Sequence, residues 1–170
     1  MSCDEKSMSL AESFLKRAYN KLSEARGHLE MFHYAESVSS SQECIELSVK
    51  TIFLLLHGGL PRKHEFSEEE FENVLRKIPS EYYKSHEYFC GYVDLCKVYL
   101  YSKFWSQFYT VAKYGFDRLG VGADKLFGRE EAELALKHAS ACYTCASTLF
   151  NWIRGQRVAT QACARGAGGG

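Results

Sequence analysis

Apolar residues in the first segment fall at Leu10, Phe14, Ala18, Leu22, Ala25, Leu29 and Phe32, always three or four positions apart. The intervening positions are rich in Glu, Lys and Arg. This spacing predicts an amphipathic helix over residues 7–32, with Gly27 a mild interruption near its end. Val38, Ile45, Val49, Ile52, Phe53 and Leu56 repeat at helical spacing and predict a second helix over residues 34–57. Gly58-Gly59-Leu60-Pro61 then stops it, because glycine suits the C-terminal cap and proline cannot continue a helix. The last turns of this helix are apolar on nearly every side, which places it at the centre of a bundle. Its polar run Ser39-Ser40-Ser41-Gln42 reads as a solvated face, with a cleft or partner surface as the alternative.

Ser67-Glu68-Glu69-Glu70 has the Ser-x-x-Glu form of a capping box. It predicts the start of a short third helix ending before Pro79, with Phe66 and Phe71 as a hydrophobic staple. A long fourth helix is expected over residues 80–116, its stripe being Phe89, Val93, Cys96, Leu100, Phe104, Phe108 and Val111. Eight tyrosines lie between Tyr82 and Tyr114. Gly91 marks where this helix would bend, break or divide into two. After a glycine-rich connection over residues 115–128, a last helix is predicted over residues 129–154. There Ala132, Ala135, Ala139, Cys142, Ala146, Leu149 and Ile153 recur at three and four. Gly155 is expected to end it, leaving residues 156–170 as a flexible tail. No segment has strand periodicity. The expected fold class is all-α: an antiparallel up-and-down bundle of four to five helices over residues 1–155.

Composition agrees with one domain of 170 residues. Hydrophobic residues make up 46% and aromatic residues 14%, which excludes wholesale disorder. Only two prolines occur, Pro61 and Pro79, in keeping with long helices. Twenty-one basic residues balance 21 acidic ones, so the chain lacks the broad positive field that holds nucleic acid non-specifically. A local basic patch is still open, and Arg62, Lys63, His64 and Lys113 form a modest basic set. The sequence begins Met1-Ser2-Cys3-Asp4 without an apolar signal segment. The run Ile52-Phe53-Leu54-Leu55-Leu56 is far shorter than the ~20 residues of a membrane span. A cytoplasmic protein with no membrane association is therefore expected. Its thiols would be reduced, unless the source is a hyperthermophile, in which intracellular disulfides are common.

The seven cysteines include Cys142-Tyr143-Thr144-Cys145. A zinc site needs two further ligands at comparable spacing, and Cys90 with Cys96 does not supply them. The motif also lies inside a predicted helix, unlike a thioredoxin-type motif at a helix start. Buried small side chains, or disulfides to another helix, are the expected reading, and no metal is expected. Gly120-Val121-Gly122 has neither a following Lys-Ser/Thr nor a preceding strand, so it reads as an interhelical loop and no cofactor is expected.

Gln42, Glu46 and Lys50 stand four apart on one helix face. Alone, Glu46 and Lys50 would be a surface ion pair worth ~0.3–0.5 kcal/mol. Their setting says more. They precede an aliphatic run, His57-Gly58-Gly59, Pro61 and then His64-Glu65-Phe66. Lys113-Tyr114-Gly115 and an Ala-rich final helix follow. In this order and spacing the chain resembles the HEPN family, the helical nucleotide-binding domain of higher eukaryotes and prokaryotes, over residues 7–154. Lys113-Tyr114-Gly115 stands where many members have Arg-Tyr-Pro or Arg-Tyr-Gly.

The resemblance implies an antiparallel helical bundle, a homodimer, and a place alone or beside a minimal nucleotidyltransferase in a toxin–antitoxin pair. A nucleotide or RNA is the other implied ligand, and Glu46, Lys50, His64, Lys113 and Tyr114 are the candidate binding residues. Some members are metal-independent ribonucleases with an Arg and a His separated by four to six residues, near the position of Lys113. There His acts as general acid or base and Arg stabilises phosphate charge. No His lies between Lys113 and Arg129 here, so no catalytic residue is assigned. The chain is read as a binding module rather than an enzyme. The alternatives are a ribonuclease using a non-standard set, for which Arg26 and His33 have the spacing, and a purely structural dimerisation domain.

Overall fold

The computed structural model describes residues 4–57 and 67–166. Helix α1 spans Glu5–Glu30, α2 Tyr34–His57, α3 Glu68–Leu75, α4 Ser80–Ser85, α5 Tyr92–Ser106, α6 Tyr109–Tyr114 and α7 Arg129–Gly166. No strand occurs among the described residues, and the fold is all-α.

Helices α1 and α2 form an antiparallel hairpin across the corner 31–33. Asp4 begins it, accepting the Ser7 backbone N–H at 2.6 Å and satisfying one of the free donors of the first turn. The buried stripe of α1 is Ala11, Leu15, Ala18, Leu22 and Ala25. This differs from the expected stripe at its start, because Leu10 is exposed and Phe14 half-buried. Small alanines at the contact let α2 approach closely. Ser37 of α2 donates to the Ala25 carbonyl at 2.9 Å, tying the two helices where a hydroxyl would otherwise be buried unpaired.

Helix α2 has the predicted bounds and is buried along most of its length, from Ala35 to Leu56. The solvated-face reading of its polar run is overturned: Ser40, Ser41 and Gln42 are buried. Ser48 and Thr51 turn their hydroxyls onto the carbonyls of Cys44 and Leu47, which removes the cost of burying them.

The capping box is present. Glu70 N–H donates to the Ser67 hydroxyl, and Ser67 N–H donates to the Glu70 carboxylate at 2.8 Å. Phe71 then packs on Phe53 and Tyr99. The expected partner Phe66 lies outside the described residues, as does the helix stop at 58–61.

The expected fourth helix is three helices, α4, α5 and α6. A side chain at Gly91 would press a Cβ to 2.8 Å from the His86 carbonyl, so the chain turns there on glycine. Buried Tyr82 fastens the turn by donating its hydroxyl to the Cys90 carbonyl at 2.9 Å. A second break falls at Gln107, and Gly115, at φ +70°, ends α6. The face of α5 is also corrected. Leu95, Val98 and Trp105 are buried, whereas Phe89, Val93, Leu100 and Phe104 of the predicted core stripe are exposed. This helix is apolar all round, so periodicity alone could not choose its inner face.

Helix α7 buries Ala132, Ala135, Ala139, Cys142, Ala146, Leu149 and Ile153, as expected. Its end is corrected. The helix runs through Gly155 to Gly166, where a flexible tail from residue 156 was expected. Glycine lowers helix propensity by about 1 kcal/mol, which is less than neighbouring turns can offset.

Candidate functional site

Glu43 joins three helices. Lys113 of α6 donates to one carboxylate oxygen at 2.8 Å, and Lys21 of α1 approaches the other at 3.2 Å. Lys21 also pairs with Glu24 at 2.7 Å. Lys113 donates to the Tyr109 hydroxyl at 3.1 Å and lies 4.3 Å from that ring's centre, a cation–π geometry. Burial pushes the Glu43 carboxyl up, but hydrogen bonds from Lys113 and Lys21 outweigh it and hold the group below its usual range. The hydrogen bond to Glu43 raises Lys113 well above the ordinary lysine value. Lys21, Glu24, Glu43 and Lys113 line an open cleft of about 650 Å³ together with Glu36, Ser39, Ser40, Tyr114 and Asp124. His28 also lines it, and its Nδ1 has no hydrogen-bond partner.

A separate groove of about 280 Å³ lies between α2 and α5–α6, lined by Gln42, Ile45, Glu46, Ser102, Trp105 and Tyr109 among others. Gln42 is 6% exposed, and its Oε1 accepts no hydrogen bond. Glu46 pairs with Lys50 one turn on, in the predicted manner. Trp105 donates its indole N–H to His138 Nδ1 at 3.1 Å, and the Tyr101 ring stacks on that imidazole, so α5 is locked to α7 behind the groove.

The candidate residues thus divide between two neighbouring sites. Glu46 lines the groove, and Lys50 pairs with it without lining either site. Lys113 and Tyr114 line the cleft, Tyr114 being 64% exposed. His64, with Arg62 and Lys63, lies outside the described residues. Sequence reasoning missed Glu43, which holds Lys113, and Lys21, which pairs with the same carboxylate. Glu43 sits beside Gln42 with no periodic signal of its own, and its partner is 70 positions away. Arg26 and His33 are both exposed, and the His33 ring lies 6.2 Å from that of His28. Among the described residues, no group of three or more His, Cys, Asp or Glu is placed to hold a metal ion. No described helix is long and apolar enough to cross a membrane.

A helical hairpin closed by a third long helix, with polar clefts beside its buried central helix, defines an all-α domain of the kind the sequence resembles. The chain belongs to the HEPN family, whose domain model matches residues 11–149. A stretch of 71 residues is 39% identical to the "Putative toxin MJ1304" of Methanocaldococcus jannaschii, covering 42% of this chain and 45% of that protein. The match thus spans less than half the length of that relative. The crystal structure of TT1696 from Thermus thermophilus superposes with a TM-score of 0.57. That likeness covers 82% of this chain and 97% of the other at 19% identity, and it is a likeness of fold.

Proposed function

We propose that this HEPN chain is a binding module of toxin–antitoxin type that engages a minimal nucleotidyltransferase through the cleft around Glu43 and Lys113. The charge inventory of that cleft carries the reading. Among the described residues Glu24, Glu36, Glu43 and Asp124 stand against Lys21 and Lys113, and both lysines already pair with glutamate. Such a surface repels a phosphate backbone and suits a protein segment bearing lysine or arginine. The name of the matched relative supports membership of a toxin pair. Tyr114 and Lys113 are the proposed contacts, with Glu46, Lys50 and His64 carried by the family resemblance.

The experiment is titration calorimetry of the full chain with a minimal nucleotidyltransferase from the same source. Asp124→Lys and Lys113→Glu should each change the affinity at least tenfold. Unchanged affinity in both variants, or tight RNA binding at physiological salt, overturns the reading. RNA incubated with the chain in the absence of metal should stay intact.

The exposed α5 face supports a homodimer. Val93, Leu100 and Phe104 present large apolar side chains to solvent along one side of the helix, and Phe89 is exposed in the turn before it. Rows of this kind mark protein contacts. A zero net charge adds no long-range repulsion between two copies.

A nucleotide is the second reading, favoured by Gln42. Its orphaned carbonyl oxygen beside the groove would accept a hydrogen bond from the exocyclic amine of a base. Equilibrium dialysis with ATP and with AMP separates this from the protein-partner reading. Retention of either nucleotide, lost in Gln42→Leu, would support it.

A further inference from the structure

The groove between α2 and α5–α6 carries a lopsided set of hydrogen-bonding groups. Gln42 is 6% exposed and its Oε1 accepts nothing, although buried amide oxygens are nearly always paired. Glu46 brings a carboxylate to the same wall, a group that only accepts and that serves several donors at once. Ser106 spends its proton on the Lys103 carbonyl at 2.8 Å, which leaves its oxygen as an acceptor. The indole N–H of Trp105 is already given to His138 Nδ1 at 3.1 Å. No Lys, Arg or His is among the described residues that line the groove. Lys50 and Lys113 reach lining residues from outside it, each paired with a glutamate.

A phosphate or a carboxylate, all acceptor, would meet acceptors here. The groove suits a group that only donates, and two side-chain cations do so, the ammonium of lysine and the guanidinium of arginine. Shape decides between them. Trp105 and Tyr109 contribute flat ring surface, Tyr109 being 43% exposed. A planar guanidinium lies along such a surface and directs five N–H groups in its own plane, whereas an ammonium is a compact, strongly hydrated point charge. Size agrees. At about 280 Å³ the groove falls short of the ~300–1,000 Å³ of pockets for drug-sized ligands, and it matches one planar head group.

We propose that this groove is a binding site for an alkylguanidinium group, presented by an arginine side chain of a bound protein or by a free small guanidine. The guanidinium lies against the Trp105 and Tyr109 rings, donates to the Glu46 carboxylate and fills the unused acceptor position of Gln42 Oε1. It takes the place of a base as the partner of Gln42. The site is separate from the cleft around Glu43 and Lys113, and it stands whether or not that cleft holds a nucleotidyltransferase.

The test is a titration of the isotope-labelled full chain followed by nuclear magnetic resonance, reading the Trp105 indole N–H and the Gln42 amide. The chain has two tryptophans, and a Trp152→Phe spectrum assigns the indole signal. The probes are agmatine, a blocked glycine–arginine–glycine tripeptide, and the lysine and citrulline counterparts of that tripeptide. Agmatine or the arginine peptide should shift both signals saturably, with the lysine peptide at least tenfold weaker and the uncharged citrulline peptide silent. Tighter binding of the peptide assigns the guanidinium to a protein partner, and tighter binding of agmatine assigns it to a small guanidine. Glu46→Gln and Gln42→Leu should each weaken binding at least tenfold, read at Trp105. Glu133→Gln, which pairs with Arg129 elsewhere, should bind like the parent. The proposal fails if neither guanidine shifts the signals, if the lysine peptide binds equally well, or if AMP alone moves them. Should Gln42→Leu misfold, Glu46→Gln, at a partly exposed position, decides the matter alone.

Discussion

Lys113 of α6 donates to Glu43 of α2 at 2.8 Å across 70 positions of sequence. The short helix α6 is thereby fastened to the central helix by a charge pair rather than by a deep apolar contact. Only Ala112 of α6 is buried. Removing the charge should therefore loosen this corner more than the pair's exposure alone suggests.

Glu43→Gln should cost about 1 kcal/mol at neutral pH, the upper part of the range for partly exposed pairs. Its effect depends on pH. The folded carboxyl is held below its ordinary value of 4.5, so its contribution is complete above that value. It is lost as pH falls through the depressed folded value. Urea melts of parent and variant should differ at pH 7 and converge on acidification below the usual glutamate range. A gap that persists unchanged in strong acid would show that the ion pair is not its source.

The two faces of α5 predict opposite outcomes for similar changes. Val93→Glu with Leu100→Glu alters exposed positions and should leave the far-ultraviolet circular dichroism unchanged. It should reduce the mass measured by light scattering from dimer to monomer. Leu95→Glu, at a position with 0% exposure, should unfold the chain, because an unpaired buried charge costs several kcal/mol. A dimer that survives the double change removes the α5 face from consideration.

The legible part of this fold is the part in which one helix has one apolar face and clear punctuation. Helix α2 begins at Tyr34 as expected because the chain breaks at the preceding corner, and the Ser67–Glu70 box starts α3 as local chemistry requires. The alanine stripe of α7 was legible for the same reason. The inner face of α5 was not, since Val93, Leu95, Val98 and Leu100 offer apolar residues on several sides and tertiary packing makes the choice. Glu46 and Lys50 could be paired from their spacing. Lys113 could be chosen as a site residue, but its partner Glu43 depends on the placement of α6, which no local pattern encodes.

The turn before α5 should be sensitive at two points. Gly91→Ala places a Cβ against the His86 carbonyl, backbone that cannot move aside as a side chain would. A loss of about 1–3 kcal/mol is expected, as for other overpacked sites. Tyr82→Phe keeps the ring and removes only the hydroxyl that reaches the Cys90 carbonyl. It should cost about 1 kcal/mol, the net worth of one hydrogen bond together with the carbonyl left unpaired. Stability of the two variants by chemical denaturation tests this. A neutral Gly91→Ala would mean that the turn relaxes without resistance.

Gly155 makes the contrasting case. It lies inside α7, it is exposed, and a Cβ built on it meets nothing within 4 Å. Gly155→Ala should therefore raise stability by about 0.5–1 kcal/mol, since alanine restricts the unfolded chain and favours the helix without new contacts. The measurement also tests the length of α7. If the helix ended at residue 154, alanine would gain nothing at a left-handed cap and would lose stability there. A stabilised variant, with amide exchange slowed at residues 156–160, is the outcome expected of a helix that continues. A destabilised variant would restore the flexible tail.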